Sequence, residues 1–531
     1  MRTKHHGNAQ FNRDRNPSSR FKNQVISLLF GTDGIRGEVL LDDLDDKGAI
    51  NAILEDRKVT KTLLRLVGEA LSRHTTPGDS VIIGWDNRPA NPDLVSGLTQ
   101  GLHLGGCQVI QGGICATPGL HNALLETKSK FGCMITASHN PVIDSGIKIF
   151  DSAGFKTTPQ MEMDLSELVY QLAAEEREVD LNDLEFLAKP DNIFNADFAH
   201  QELLVIRLAE FTGMFGPPEG EFLLDCSKGA GSHWLAQLLS HNGVKTSELS
   251  HDAPALNDGC GAGELSPTDS WTWLEAARSD HLLVRSVQKT EPGKIIGAAL
   301  DGDGDRCLFL VSVENGCKVM DGDSMADHIL RAGRGRWHLA ASIESDLALS
   351  TSLDRLEADV SSSQTAVGDR WLSCDLRSRE CSVLGVEDSG HLVMSTPHPH
   401  GGRALVGDGA ASLFAVLCAI GGEQSSEEFI RGFKHRVSIK DADRSLWTGS
   451  NDLAVTVEKI AADILGDIDC HGLEGEPNLM MLEKDGISIG IRNSGTQAKT
   501  NVSLRIAPGI DGEKPKQAAQ AIIELLRIVL T

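Results

Sequence analysis

A multi-domain α/β fold follows from three features of this 531-residue chain: its length, an alternation of short apolar runs with helix-spaced segments, and polar glycine-containing loops after those runs. A chain this long exceeds what one hydrophobic core serves and implies three or four domains of ordinary size. Apolar residues make up 40% of it, enough to fill those cores. Strands that alternate with helices predict a largely parallel sheet, with functional loops at the carboxyl ends of its strands.

Composition narrows the function. A net charge of -25 argues against a nucleic-acid surface, because phosphate backbones are held by clustered Lys and Arg. Any anionic ligand must then meet basic residues concentrated locally. The 11 cysteines form no Cys-x-x-Cys pair, so neither a zinc ribbon nor a disulfide framework is indicated, and they read as reduced, mostly buried residues of a cytoplasmic protein. The apolar run at 413–420 is far too short to span a membrane. Residues 1–24 carry Arg2, Lys4, Arg13, Arg15, Arg20 and Lys22 against a single Asp14 and lack a signal-peptide core, which predicts a disordered basic tail.

The first domain is expected over 25–187. Residues 25–30 read as a strand that runs into the loop Gly31-Thr32-Asp33-Gly34-Ile35-Arg36-Gly37, whose glycines let backbone amides approach an anion and whose Arg36 adds a planar fork. A helix is predicted over 61–72, a strand at 81–85, a strand at 108–110 leading to Ala116-Thr117-Pro118, and a helix near 121–127. The apolar run 131–135 then delivers Thr136-Ala137-Ser138-His139-Asn140-Pro141, where Asn-Pro turns the chain and leaves the Ser138 hydroxyl at a strand end. His139 beside it raises a hydrolase reading, but the Gly-x-Ser-x-Gly elbow is missing. Lys148 lies in a further strand, and the charged helical stretch 158–187 reads as a solvated face.

The second domain, 190–315, opens with a strand at 221–225 and a helix start at Gly229-Ala230-Gly231-Ser232. Its informative segment is Asp301-Gly302-Asp303-Gly304-Asp305-Arg306. In an extended loop, alternate residues project the same way, so three carboxylates converge and call for a hard divalent cation. A calcium EF-hand is disfavoured, since Arg306 and Ser312 stand where Gly and Glu are needed. An aspartyl-phosphatase loop is disfavoured by Gly304, and the plain alternative is an acidic turn between strands.

The third domain, 318–422, begins with Asp321-Gly322-Asp323, where Asp323 reads as a helix cap. Its glycine-bounded loops are Thr365-Ala366-Val367-Gly368-Asp369-Arg370 and Gly385-Val386-Glu387-Asp388-Ser389-Gly390-His391, the latter with Glu387 and Ser389 spaced to face sugar hydroxyls. His398 and His400 are given no role. A linker at 421–427 leads to the fourth domain, 428–531, in which Arg492-Asn493-Ser494-Gly495-Thr496 offers a guanidinium, hydroxyls and amides as a phosphate cradle.

Together and in this order, the Gly-Thr-Asp-Gly-Ile-Arg-Gly loop, Thr-Ala-Ser-His-Asn-Pro, Asp-Gly-Asp-Gly-Asp-Arg, Gly-x-Glu-x-Ser-Gly-His and Arg-x-Ser-Gly-Thr resemble the α-D-phosphohexomutase family over about residues 27 to 505. The resemblance implies a four-domain phosphohexomutase architecture: three related mixed α/β domains and a C-terminal TATA-box-binding-like α+β domain around a central cleft. It also implies interconversion of hexose 6-phosphate and hexose 1-phosphate through a phosphoserine enzyme and a sugar bisphosphate, which doubles as activator. Ser138 would be the phosphoserine, with one Mg2+ held by it and by Asp301, Asp303 and Asp305. Arg36, Lys148 and His391 would move protons and stabilise charge. Arg306 would stand beside the metal cluster, Glu387 and Ser389 would read the sugar, and Arg492, Ser494, Gly495 and Thr496 would hold the non-reacting phosphate.

The loop at 385–391 and the stretch Asn257-Asp258-Gly259-Cys260-Gly261-Ala262 resemble phosphoglucosamine mutases, and Asp388 could favour an amino group electrostatically. Glucosamine phosphate is therefore the favoured substrate; glucose or mannose phosphate is the alternative, and a non-catalytic sugar-phosphate-binding relative a third reading. Gln497-Ala498 departs from the family's Glu-Pro, and domain two is lengthened around 271–289. Partners are expected to be the hexose phosphate alone, without nucleic acid or membrane, in a monomer or homodimer.

Overall fold

The computed structural model describes residues 29–531 apart from 32–33, 176–178, 180, 424–426 and 495–497. The expected basic tail and the phosphate-cradle residues Gly495 and Thr496 lie outside the described residues, as do most of the expected strand at 25–30 and most of the expected linker. Four sheets carry the fold, each built from a consecutive stretch of chain.

The first sheet contains β1 (Ile35–Val39), β2 (Lys58–Val59), β3 (Ser80–Trp85), β4 (Gln108–Ile114), β5 (Phe131–Ile135), β6 (Asp144–Asp151) and β7 (Asn192–Ile193), in the order β2-β1-β6-β5-β3-β4-β7. It is largely parallel, as expected, except at β6. The segment between β5 and β6 is too short for a crossover, so β6 returns antiparallel to β5 and pairs with β1 in the same sense. Lys148 lies in mid-strand, as expected, opposite Met134. Gly31 N bonds to Gly34 O, and β1 begins at Ile35, which sets Arg36 on a strand. The helix Lys61–Ser72 forms where the apolar spacing places it; the helix Thr117–Thr127 begins earlier than expected, taking in Thr117 and Pro118.

The second sheet holds β8 (Glu221–Asp225), β9 (Lys245–Glu248), β10 (Ser270–Thr272), β11 (Ile295–Leu300), β12 (Cys307–Val313) and β13 (Gly316–Met320). The third holds β14 (Arg336–Ser342), β15 (Asp359–Thr365), β16 (Ser382–Val386), β17 (Leu392–Pro397) and β18 (Arg403–Gly407). Two expected boundaries shift, because β7 joins the first sheet beyond residue 187 and β13 joins the second beyond 315. The cap of the helix Gly322–Ala332 is Asp321, whose side chain accepts from Ser324 N; Asp323 lies within the first turn, buried. The second and third sheets share one core, filled by the helix Gly409–Gly422, which is buried along nearly its whole length.

The fourth sheet is wholly antiparallel, with β19 (Phe433–Lys440), β20 (Asp469–Leu473), β21 (Glu476–Lys484), β22 (Ile487–Asn493) and β23 (Lys499–Ile506) in the order β19-β23-β22-β21-β20. The helices Asp452–Leu465 and Glu513–Leu530 pack their apolar sides into its core. All 11 cysteines are free; Cys107, Cys115, Cys133, Cys226, Cys260, Cys307, Cys317 and Cys418 are buried, and Cys470 is exposed. Among the described residues no helix is long and apolar enough to cross a membrane.

Candidate active site

The site begins where β5, buried at every residue, gives way to Thr136. Two residues on, Ser138 takes a left-handed conformation with φ 52°, which costs a residue with a Cβ ~1–2 kcal/mol unless its surroundings enforce it. They do. Ser138 N donates to Thr136 Oγ1 at 2.8 Å, and that hydroxyl donates to the buried Asp86 Oδ2 at 2.6 Å. Arg88, 2% exposed, bonds Asp86 through Nε and donates through Nη2 to the carbonyls of Ser138 at 2.8 Å and Asn140 at 2.9 Å. Burial pushes the Asp86 carboxyl up while the Arg88 guanidinium works against it.

Facing this loop is the β11–β12 hairpin loop. Its carboxylates converge through a tight turn, closed by Gly304 N to Asp301 O and permitted by the φ of 70° at Gly304, and not through an extended loop as the spacing suggests. Asp301, Asp303 and Asp305 are all buried, with ligand atoms within 4.8 Å of one another. Each divides its oxygens. Asp303 Oδ2 accepts from Thr117 Oγ1 at 2.6 Å, Lys148 Nζ at 2.7 Å and Ser138 Oγ at 3.4 Å; Asp305 Oδ2 accepts from Lys148 at 2.8 Å; Asp301 Oδ1 accepts from Arg306 N. The remaining oxygens, Asp301 Oδ2, Asp303 Oδ1 and Asp305 Oδ1, are buried without a hydrogen-bond donor. Three orphaned carboxylate oxygens in one buried spot fit a hard divalent cation, which takes oxygen ligands and removes their repulsion. The repulsion is visible in Asp301, whose carboxyl burial and the neighbouring Asp305 and Asp303 push well above its ordinary range. Burial raises Asp305 too, but Lys148, His391, Lys156 and Arg306 hold it well below the usual carboxylate range.

His391 reaches the cluster from the third sheet, with Nδ1 3.9 Å from Asp305 Oδ1 and Nε2 3.4 Å from Asp369 Oδ2. Burial would lower its pKa, yet Asp305, Asp369 and Glu387 outweigh it and raise the imidazole to about 9, so it is a cation at neutral pH. His139 behaves oppositely: Arg306, burial and Arg36 drive it down to about 3. Its Nδ1 faces Arg306 Nη1 at 3.3 Å, which leaves the Ser-His hydrolase pairing unsupported. Glu387 is buried, accepts from Gly368 N at 2.7 Å, and is raised by burial against the pull of His391 and Arg306. Ser389 stands half-buried beside it.

Of the phosphate cradle expected in the fourth unit, Arg492 and Ser494 are among the described residues. Arg492 Nη1 is paired with Glu476 Oε1 at 2.9 Å, and Nη2 lies 3.8 Å from Glu344, a residue of the third unit that Arg436 also grips at 2.7 Å. Ser494 N and O bond to Lys499 O and Arg444 Nη1. Asp388, expected to favour an amino group, is engaged by Lys434 Nζ at 2.7 Å; burial raises its carboxyl to about 6 despite that lysine. The structure thus joins Ser138, the three aspartates, Lys148, Arg306 and His391 directly, with Arg36 and Glu387 felt electrostatically. Arg492 and Ser494 form a separate cluster.

Several residues that shape the site were assigned no role from the sequence. Arg88, Thr117 and Asn257 hold the two loops, Lys156 Nζ grips Asp369 Oδ1 at 2.6 Å, and Arg436, Glu344 and Glu476 surround Arg492. Glu162, on the helix expected to be a solvated face, is buried and pairs with Arg370 of the third unit. Only the Asp369 loop and the Asn257 stretch stand out in the sequence.

Comparison with known proteins finds relatives of one family. Residues 27–176 match the phosphoglucomutase/phosphomannomutase alpha/beta/alpha domain I, and residues 321–435 match domain III of the same description. A phosphoglucosamine mutase from Streptococcus sanguinis is 30% identical over 370 residues, 69% of this chain and 73% of that protein. The crystal structure of a phosphoglucomutase/phosphomannomutase family protein from Burkholderia thailandensis superposes with a TM-score of 0.65 at 17% identity, covering 95% of this chain and 98% of that one. The N-acetylphosphoglucosamine mutase of Aspergillus fumigatus, solved in complex with GlcNAc-6P and magnesium, gives 0.55 at 15% identity over 88% of this chain and 99% of that one.

Proposed function

The chain belongs to the α-D-phosphohexomutase family, isomerases that move a phosphoryl group within a sugar phosphate, and on that premise we propose that it interconverts glucosamine 6-phosphate and glucosamine 1-phosphate through a phosphorylated Ser138. The observation that carries the mechanism is the meeting of Ser138 Oγ with a buried aspartate cluster whose three outer oxygens have no donor. Asp301, Asp303 and Asp305 would hold Mg2+ together with the phosphoryl group on Ser138, and the ion would supply compensation for charge on the transferring oxygens.

This chain's own residues do the rest. In the first step the Ser138 Oγ–P bond breaks, a bond forms from phosphorus to the free hydroxyl of the sugar monophosphate, and the proton of that hydroxyl ends on Ser138 Oγ. Lys148 Nζ stands across Asp303 Oδ2 from that oxygen, at 2.7 Å, so protonation there has a short route. The His391 imidazolium and Arg306 place positive charge beside the reacting group. Glu387 and Ser389 would orient the sugar ring. Arg492, with Arg436 nearby, would hold the other phosphate after its guanidinium exchanges Glu476 for the ligand. The bisphosphate formed in this step reverses in the cleft and returns its second phosphoryl group to Ser138, which makes a sugar bisphosphate the natural activator.

Kinship with phosphoglucosamine mutases supports the amino sugar. The engagement of Asp388 by Lys434 favours keeping glucose or mannose phosphate as the second reading, since that carboxylate is not free to meet an amino group. The deciding experiment is a bisphosphate-primed, Mg2+-dependent assay comparing kcat/KM for glucosamine-, glucose- and mannose-6-phosphate. Glucosamine is expected to lead by at least about tenfold; a lead for either other sugar overturns the assignment of substrate but not of family.

A further inference from the structure

The stretch 257–262 carries a residue that grips the reacting loop from outside its own unit. Asn257, 5% exposed, donates through Nδ2 to the carbonyl of Ser138 at 2.7 Å and to that of Asn140 at 3.0 Å, the same two carbonyls that Arg88 bonds from within the first unit. Its amide is oriented: Oδ1 accepts from Ser227 Oγ at 2.5 Å. Its backbone has φ 58°, a conformation that Asn tolerates better than most residues. The segment after it is pinned as well, by Gly261 N on the buried Asp225 at 2.8 Å and by His281 Nε2 at Gly261 O at 3.0 Å. Its approach is close, because a Cβ on Gly263 would lie 2.3 Å from His139 Cβ, and one on Gly302 would meet the Asn257 amide at 2.7 Å.

Ser138 belongs to the first sheet and Asp301, Asp303 and Asp305 to the second, so the distance from Oγ to the carboxylates depends on the register between two units. Arg88 fixes the serine loop only relative to its own sheet. Thr117 crosses in one direction, with Oγ1 on Asp303 Oδ2 and N on Asp303 O; Asn257 crosses in the other, from the aspartate-bearing unit to the serine loop. We propose that Asn257 is a positioning residue for Ser138, a cross-brace that sets Oγ against the aspartate loop and holds the left-handed turn in register with it. The proposal rests on the phosphoserine reading.

Asn257→Asp tests it with an isosteric side chain that keeps the Ser227 contact but turns a donor toward two carbonyls into an acceptor. The measurements are kcat and KM, normalised to the phosphoserine content found by intact mass, and the 31P resonance of the phosphoserine. Displacement by ~1 Å is enough to cost on the order of 100-fold in rate, so kcat is expected to fall about 30- to 300-fold with KM within about 3-fold, and the 31P signal to shift. Ser227→Ala, which only loosens the amide, is expected to lower kcat by about 3-fold in the same pattern, and it keeps the test alive should Asn257→Asp fold poorly. An Asn257→Asp enzyme within about 2-fold of wild type at equal phosphoserine content, or one that loses in KM alone, overturns the positioning role while leaving the mutase reading intact. Wild-type protein that carries no phosphate on Ser138 when primed removes both.

Discussion

The two regions proposed to handle phosphate are prepared differently. Around Ser138 the protein has spent its donors on backbone and inner carboxylate oxygens, and leaves three buried outer oxygens facing one another with none. Around Arg492 the cations are already matched by the protein's own acids, Glu476 and Glu344. The first region offers acceptors to a cation, whereas Arg492 must exchange a carboxylate partner before it can bind a ligand. Where phosphoryl transfer is proposed, the side chains are held in advance; where a phosphate is proposed merely to be held, the cation already has a partner to give up.

The contrast breaks most sharply at Ser138. Ser138→Ala is expected to lower turnover by at least ~10⁴-fold while thermal stability changes little, because it deletes one oxygen at a turn the backbone still holds; retained activity at phosphate-free purity would show that another group carries the phosphoryl. Next comes the aspartate loop. Mg2+ at about 100 times its Kd is expected to stabilise the wild type by ~2.7 kcal/mol and Asp303→Asn far less, read by denaturation with and without the ion; equal shifts would remove the cation from this spot. His391 gives an effect of similar size through pH. Its pKa of about 9 in the folded chain lies above the ordinary 6.5, so its contribution is complete below pH 6.5 and is lost as pH rises through 9. Unfolding of His391→Asn should therefore show less loss of stability between pH 7 and 10, by at most about 3 kcal/mol; parallel curves would contradict the imidazolium. The smallest effects belong to the fourth unit. Arg492→Ala is expected to raise KM about 10- to 100-fold with kcat nearly unchanged, and Glu476→Gln to lower KM by up to about 3-fold, because the guanidinium no longer has a carboxylate to give up. A rise in KM for Glu476→Gln would mean that the acid serves the ligand and does not compete with it.

What the sequence made legible follows the same division. Ser138 and the three aspartates sit in short turns whose chemistry is local, and both turns converge where the motifs place them. The reversal of β6 within the largely parallel first sheet was not legible, because strand direction depends on the length of the β5–β6 link; Lys148, expected in a strand, reaches the aspartates from the middle of it. In Asp321-Gly322-Asp323 either acid could have capped the helix, and only the backbone of the first turn selected Asp321. Arg88, Thr117, Asn257 and Glu344 act across 50 to 186 residues of chain, as in the Arg88–Ser138 and Thr117–Asp303 bonds, and no local pattern encodes such a contact.

The burial of the cysteines gives this enzyme a built-in clock. Apolar surroundings push the thiols of Cys317 and Cys418 up to about 11 and that of Cys260 to about 12, so almost none is thiolate at neutral pH, and alkylation must wait for the surrounding core to open. Cys107, Cys115 and Cys133 sit with the first sheet, Cys226, Cys260, Cys307 and Cys317 with the second, Cys418 in the core shared by the second and third, and the exposed Cys470 on the fourth. A labelling time course read peptide by peptide would rank the opening of these regions without any introduced probe, with Cys470 marking zero time.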